Sequence, residues 1–274
     1  MTIIKNFDEF NNDLGKQFLK NGYIVNPVEN IDGLNEIKKN IIGDVCKFTG
    51  LDKNKDEDKF LNTFHLKINQ NKINDVRMNL YANFNNQNWF RPTYFSFGKS
   101  LIETVIGNEL VMQNKINISI MMPNDSSSNI PIHLDPHSGE SPYQCVMWIP
   151  LTNVYKTKSI FILPPEVNKK ILVDFKKLME EGGRERVFEE IKSELIWVDI
   201  NYGSLLLFSP NLIHGSVKNE TDETRWSFNT RFKSLFSPYI SQEKGLGSFY
   251  LPISVRPATI KGMEYKIPKD FNDK

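Results

Sequence analysis

The stretch Ile132-His133-Leu134-Asp135 decides how this 274-residue chain is read. It lies in a strand-like run, 130–134, and in a strand residues i and i+2 point to one face. His133 and Asp135 are therefore expected on the same side, about 6–7 Å apart along the chain. Downstream stand His214 and, eleven residues later, Arg225. Two imidazoles and one carboxylate drawn from two strands make a facial triad, which suits Fe(II) and leaves adjacent coordination positions open. Closed zinc sites fill four positions, often with thiolates, and Cys46 and Cys145 lack the spacing for that. Only four histidines occur in the chain, so the placing of three of them at His133, His137 and His214 is informative. Arg225 offers a planar, permanently charged fork for a carboxylate. Against this stands an ordinary reading: a surface His-Asp pair, a loop histidine and an exposed arginine.

Working outward, the sequence from Lys115 alternates with period two. Ile116, Ile118 and Ile120 face away from Asn117 and Ser119. Further strand-like runs follow at 145–151, 159–163, 195–199, 204–209, 212–217 and 225–233. About eight short strands separated by turn signals suggest a jelly roll, a double-stranded β-helix. In the last run Arg225, Ser227, Asn229 and Arg231 alternate with Trp226, Phe228, Thr230 and Phe232. That pattern fits a strand whose polar face lines a wet cavity and whose aromatic face packs on another layer. Arg231 is open between a substrate or cosubstrate role and structural pairing.

The region before residue 115 reads as helix. Phe7, Phe10, Leu14 and Phe18 recur at helical spacing, with Gly22 as a stop. Ile31, Leu34, Ile37, Ile41 and Val45 suggest a second helix, and Phe60, Phe64 and Ile68 a third. Others are expected near 74–84 and 95–106. A helical insertion, 166–194, interrupts the strands, with Gly182-Gly183 as a break. The simplest organisation is one domain, 1–274: a helical N-terminal layer at 1–114, a jelly-roll core at 115–234 and a tail at 235–274.

Composition sets bounds. Hydrophobic content of 39% and charged content of 24% are those of an ordinary globular protein. A net charge of +1 gives no field suited to nucleic acid or an anionic membrane. No apolar run reaches membrane-spanning length. The opening MTIIKNFDEF has no signal-peptide core, and two cysteines give no disulfide framework. A cytoplasmic monomer or homodimer is expected.

Several segments together carry a family resemblance. They are Phe18-Leu19-Lys20-Asn21-Gly22-Tyr23-Ile24-Val25, His133-Leu134-Asp135-Pro136-His137, Trp148 within Val146–Leu151, Ile162-Leu163-Pro164, His214-Gly215-Ser216 and Arg225. From Phe18 to Arg231 the chain resembles the phytanoyl-CoA dioxygenase-like family of Fe(II)/2-oxoglutarate oxygenases. The wording of 117–125 and 144–151 is similar to a subgroup found in bacterial carbohydrate and aminoglycoside biosynthesis clusters. The resemblance implies iron at His133, Asp135 and His214, and 2-oxoglutarate near Arg225, Ser216 and Trp148. It implies a hydroxylase: dioxygen and 2-oxoglutarate are consumed, and a C–H bond of a small substrate is oxidised. The presence of Asp135 argues against the halogenase branch. The short lip, 138–143, and the lack of a CoA-binding surface argue against an acyl-CoA substrate.

Gln144, Asn117 and Ser119 share the inward parity of their strands and are candidates for bonds to cosubstrate or substrate. Satisfying a buried backbone group is the equal alternative. His137 is open among a place beside the metal, a structural role and a fourth ligand. Cys145 has the opposite parity and reads as core. Met121, Trp148 and Phe208 are expected to form an apolar wall. The loops 123–130 and 138–143, the insertion and the tail are expected to ring the mouth. The insertion is either a lid with a Gly-Gly hinge or a peripheral hairpin. Asn124-Asp125-Ser126-Ser127-Ser128-Asn129 suits a sugar-like ligand or an ordinary turn. Competing functions are a non-catalytic jelly roll that binds metal or a small acid, an oxygenase acting on an amino acid or peptide, and a zinc hydrolase.

Overall fold

A computed structural model describes residues 13–266. Phe7 and Phe10, the start of the first expected helix, lie outside the described residues. The chain opens with helix α1 (Asp13–Asn21), strand β1 (Tyr23–Pro27), α2 (Ile31–Thr49), α3 (Glu57–Asn62), α4 (Ile73–Asn85), α5 (Phe90–Ser96) and α6 (Lys99–Val105). Strands β2 (Leu110–Gln113), β3 (Asn117–Met121), β4 (Gln144–Pro150) and β5 (Phe161–Ile162) follow. Helix α7 (Pro165–Ile191) precedes β6 (Ile196–Trp197), β7 (Ser204–Phe208), β8 (His214–Gly215), β9 (Arg225–Ser234), β10 (Tyr250–Ser254) and α8 (Pro257–Glu264).

Seven strands form one antiparallel sheet in the order β1-β7-β4-β9-β2-β10, with β3 also paired to β9. The long β9 is its spine: β4 runs along one edge, while β3 and β2 share the other. A three-stranded antiparallel sheet, β6-β5-β8, holds the chain that carries His214. The two antiparallel sheets are consistent with the expected jelly roll.

Strand parity organises the layers. Met147 and Ile149 of β4, Leu205 and Leu207 of β7, and Trp226, Phe228 and Phe232 of β9 share one core with α2, α4, α5 and α6. Trp226 meets Phe64 edge-on, and Phe228 meets Phe90 and Tyr94 likewise, a geometry aromatic rings prefer. Val146, Trp148, Leu206 and Phe208, the alternate residues, point to the other side and pack with Ile160 and Ile162 toward the small sheet. Beyond that sheet, α7 buries Leu178, Val187 and Ile191 against Ile132, Leu134, Phe161 and Ile213.

Local differences from the sequence expectations have physical causes. Residues 130–134 are not a strand. His133 makes a single bridge to His214, and Asp135 opens a 3-10 turn, Asp135–Ser138, because Pro136 sits at its start and cannot donate to a ladder. The expected 95–106 helix is two helices parted at Gly98. The expected third helix ends at Asn62 and continues as a 3-10 turn. Strand β2 escaped the period-two test because all four of its residues are buried. The tail supplies β10, which pairs with β2 at the sheet edge instead of ringing the mouth. Helix α7 is kinked where the glycines predict: Gly183 has φ 65°, open to glycine at no steric cost. Among the described residues no helix is long and apolar enough to cross a membrane.

Candidate metal centre

His133 and His214 are joined by a pair of backbone hydrogen bonds, His133 N–H to His214 O at 3.0 Å and the reverse at 3.1 Å. This bridge brings residues 81 positions apart into one site. It requires Gly215. A Cβ there would lie 2.8 Å from the Ile130 carbonyl oxygen and 2.9 Å from the Phe161 ring, so the neighbouring chain can pass close only over a glycine.

The imidazoles and the Asp135 carboxylate converge. His133 Nε2 lies 3.3 Å from Asp135 Oδ1 and His214 Nε2 lies 3.7 Å from it. The three donor atoms all fall within 4.8 Å of one another. Donors about 2.1 Å from one ion at right angles are roughly 3 Å apart, so small movements seat a metal. Each ring has its Nδ1 on a carbonyl, Pro131 O at 2.9 Å for His133 and Leu212 O at 2.8 Å for His214. The carbonyl selects the tautomer with hydrogen on Nδ1, leaving the Nε2 lone pairs to face Asp135.

Electrostatics favour the liganding forms. Burial pushes the His214 imidazole down to about 4, with His133 adding to the effect, so at neutral pH it is an uncharged donor. Burial alone would raise the Asp135 carboxyl. The His133 hydrogen bond, Arg231 and His214 outweigh it and hold the group well below the usual carboxylate range.

The triad opens on a cavity of about 400 Å³, at the small end of the range for ligand pockets. Of the residues picked out from sequence, His133, Asp135, His214, Asn117, Ser119, Trp148, Phe208 and Arg231 line it. Asn117 donates to Asn229 Oδ1 at 2.8 Å, tying two cavity-lining amides of β3 and β9 together. Arg231 donates from Nε to Asp135 Oδ2 and also pairs with Glu140. Structural pairing is thus one of its roles.

Arg225 lies behind the cavity wall, fully buried. It donates to the Ser159 carbonyl at 3.0 Å and to Ser119 Oγ at 3.4 Å, while its Nε has no partner. No carboxylate of the described residues pairs with it. Burial pushes the guanidinium down to about 10, yet it stays charged at neutral pH. A buried cation is costly unless an anion compensates it. The arginine therefore fits an anionic ligand that reaches past Ser119, and the triad fits a divalent metal.

The remaining candidates have other surroundings. Gln144 does not line the cavity; its amide donates to Glu140 and its oxygen accepts from Tyr250. Ser216 accepts the Ile130 N–H at 2.9 Å and so fixes the loop beside the metal. His137 is exposed and stacks edge-on against Phe175 of α7. Met121 is core, not cavity wall. Neither the insertion nor the tail contributes a lining residue, whereas Ser127, Ser128, Asn129 and Ile130 of the first loop do. Arg77, Met78 and Tyr81 of α4 complete the wall and were missed. Their signal was available. Ile73, Val76, Leu80 and Phe84 form the buried stripe of α4, and the missed residues occupy the flank beside it.

No sequence-family model matches the chain, and a search of curated proteins finds no match. Solved structures do resemble it. ThoJ, a non-heme monooxygenase solved as its nickel complex, aligns over 89% of this chain and 84% of its own with 13% identity and a TM-score of 0.56. EctD from S. alaskensis, solved with 2-oxoglutarate and 5-hydroxyectoine, aligns over 85% and 79% with 14% identity and a TM-score of 0.52. HygX from Streptomyces hygroscopicus, with nickel and 2-oxoglutarate bound, aligns over 82% and 87% with 11% identity and a TM-score of 0.50. At these identities the likeness is one of fold: this chain shares the antiparallel architecture on which those proteins are built.

Proposed function

We propose that this chain is a single-domain, non-haem Fe(II)- and 2-oxoglutarate-dependent oxygenase of the phytanoyl-CoA dioxygenase-like branch, hydroxylating a small polar metabolite. The observation that carries the reading is Arg225: a fully buried guanidinium without a carboxylate partner among the described residues, one serine away from a cavity lined by two histidines and an aspartate. A metal alone explains the triad. Only a metal plus an anionic cosubstrate explains the arginine too.

In this reading His133, Asp135 and His214 would hold the iron, a donor set of two imidazoles and a carboxylate that suits it. Iron with 2-oxoglutarate and dioxygen supplies the oxidising power for a C–H bond; the protein supplies position and exclusion of water. Arg225 takes the distal carboxylate of 2-oxoglutarate, with the Ser119 hydroxyl beside it. Val146, Trp148, Ile160 and Phe208 form the apolar wall that keeps water from the reacting centre. Asn117, Asn229, Ser127, Ser128 and Tyr81 present amides and hydroxyls to the substrate, which suits a sugar-like molecule.

The test is succinate release from 2-oxoglutarate by protein reconstituted anaerobically with Fe(II) and then exposed to air, with zinc as the control metal. Turnover with iron and inhibition by zinc are expected. Hydrolytic activity with zinc, or no succinate formed with iron, would sink the reading.

A further inference from the structure

Two arginines, Arg77 and Arg231, line the metal cavity and a third, Arg225, lies behind its wall; the last two are accounted for. Arg231 is neutralised by Asp135 and Glu140, and Arg225 awaits the cosubstrate's distal carboxylate. That leaves Arg77. It projects from α4 into the lining of the same cavity, half-buried, and meets only the side-chain oxygen of Asn74. The acidic neighbours are engaged elsewhere. Asp125 accepts from Gln70 and from the Ser127 N–H and hydroxyl, and Asp75 lines a different groove.

A second group of the same cavity is also uncommitted. Asn129 lines the cavity, and its Oδ1 is buried with no hydrogen-bond partner. An orphaned acceptor in a desolvated place costs stability until a donor reaches it. The loop that carries Asn129 is held from both sides, by Asp125 at its start and by the Ser216 hydroxyl on Ile130 N–H at its end. The acceptor is therefore positioned by the fold.

We propose that the substrate is a small oxyanion-bearing metabolite whose carboxylate or phosphate pairs with Arg77, while a hydroxyl or amine of the same molecule donates to Asn129 Oδ1. The proposal rests on the oxygenase reading for its orientation: the anion sits at the α4 side of the cavity and the remainder of the molecule faces the metal. A guanidinium suits both anions because its planar fork matches two oxygens at once.

The experiment uses full-length protein loaded with Co(II) as a paramagnetic stand-in and saturated with 2-oxoglutarate, so that the metal and Arg225 are occupied. Inorganic phosphate and acetate are titrated in separately, and their ³¹P and ¹³C relaxation reports proximity to the metal. Both probes are expected to show saturable relaxation enhancement in the wild type. In Arg77→Ala the apparent affinity should fall roughly tenfold or more, as for loss of a hydrogen bond to a charged group, with Arg77→Lys in between. Enhancement by phosphate alone, or by acetate alone, would name the anion. Equal enhancement in wild type and Arg77→Ala, or none in the wild type, overturns the proposal. Cobalt uptake and 2-oxoglutarate binding are followed by absorption beforehand. Failure of either would count against the oxygenase reading, and the Arg77 site would then be decided by ³¹P line broadening of phosphate on metal-free wild type against Arg77→Ala.

Discussion

Arg231 Nε lies 3.0 Å from Asp135 Oδ2, the oxygen turned away from the two histidines. The pairing leaves Oδ1 facing His133 and His214. Arg231 is itself held by Glu140, and Glu140 is held by Lys244 at 3.0 Å and by the Gln144 amide at 2.7 Å. Metal-ligating carboxylates are commonly oriented by such outer partners, and the ligand geometry degrades when they are lost.

Removing the outer partner is accordingly expected to weaken the centre without abolishing it. Arg231→Ala should lower metal affinity about 10–100-fold, and Glu140→Gln should do so to a smaller degree, because the amide still accepts from Arg231. Asp135→Ala should abolish both tight metal uptake and turnover. Competition against a calibrated chelator ranks the three. Wild-type affinity in Arg231→Ala would assign the arginine to ligand contact alone.

Arg225→Ala should raise the KM for 2-oxoglutarate roughly thirty-fold or more, since loss of one partner from a buried charge pair typically costs about 2–5 kcal/mol. Arg225→Lys should restore part of this, as a point charge does not reproduce the fork. Steady-state succinate assays at varied cosubstrate separate the effect from a change in kcat. An unchanged KM in both variants, with Arg231→Ala crippled instead, would move the role to Arg231.

The readable parts of this chain were those where one face is wet or chemically marked. The alternation of β9 exposed its two faces: the aromatic face packs in the helical core as expected, while of the polar face Asn229 and Arg231 line the cavity and Arg225 and Ser227 lie buried behind it. Strand β2, buried on both faces, carried no alternation to read. His133 and Asp135 converge, but through a bridge and a 3-10 turn started by Pro136 and not through strand parity. The pair faces one point as expected, but by a local geometry other than the expected strand. Helix α4 was expected near 74–84, but its part in the cavity wall, like that of Glu140 beside Arg231, was missed because the sequence marks a buried stripe and not what the flank beside it meets. Glu140 reaches Arg231 across the fold, and Arg77 looks in sequence like any solvated helix arginine.

Acid should destabilise the metal-free protein between about pH 6.5 and pH 4. The His214 pKa falls from 6.5 to about 4 on folding, so in this window the unfolded chain binds the extra proton. Stability then rises with pH across the window and is lost as pH falls. Asp135, held far below its usual value, begins to lose its own contribution only below about pH 4, the ordinary carboxylate range. Melting temperature against pH should therefore fall across the window in wild type and flatten in His214→Gln. Bound metal, which needs the neutral ring, should move the fall to lower pH. A flat wild-type profile would contradict the buried, uncharged imidazole.

Gly215→Ala should damage the site more than its size suggests. The added methyl meets the Ile130 carbonyl and Phe161, so the segment carrying His133 must move away from His214. Overpacking of this kind typically costs about 1–3 kcal/mol. Metal affinity should fall along with melting temperature. A stability loss with unchanged metal affinity would mean that the strain is absorbed on the Phe161 side.

The last prediction concerns the helical insertion. A lid would place side chains over the cavity, and none of the cavity-lining residues belongs to α7. Leu178, Val187 and Ile191 instead pack against Ile132 and Leu134, which flank His133. The insertion thus supports the back of the ligand segment. Ile191→Ala, at a fully buried position, should cost about 2–5 kcal/mol and weaken metal binding in parallel. Trimming 166–194 to a short turn should destabilise the protein and loosen the iron site together, because it strips the apolar cover from Ile132 and Leu134. A lid predicts the opposite split: intact fold and metal affinity, with succinate formation uncoupled from substrate oxidation. Calorimetry and metal titration of the trimmed protein decide between the two.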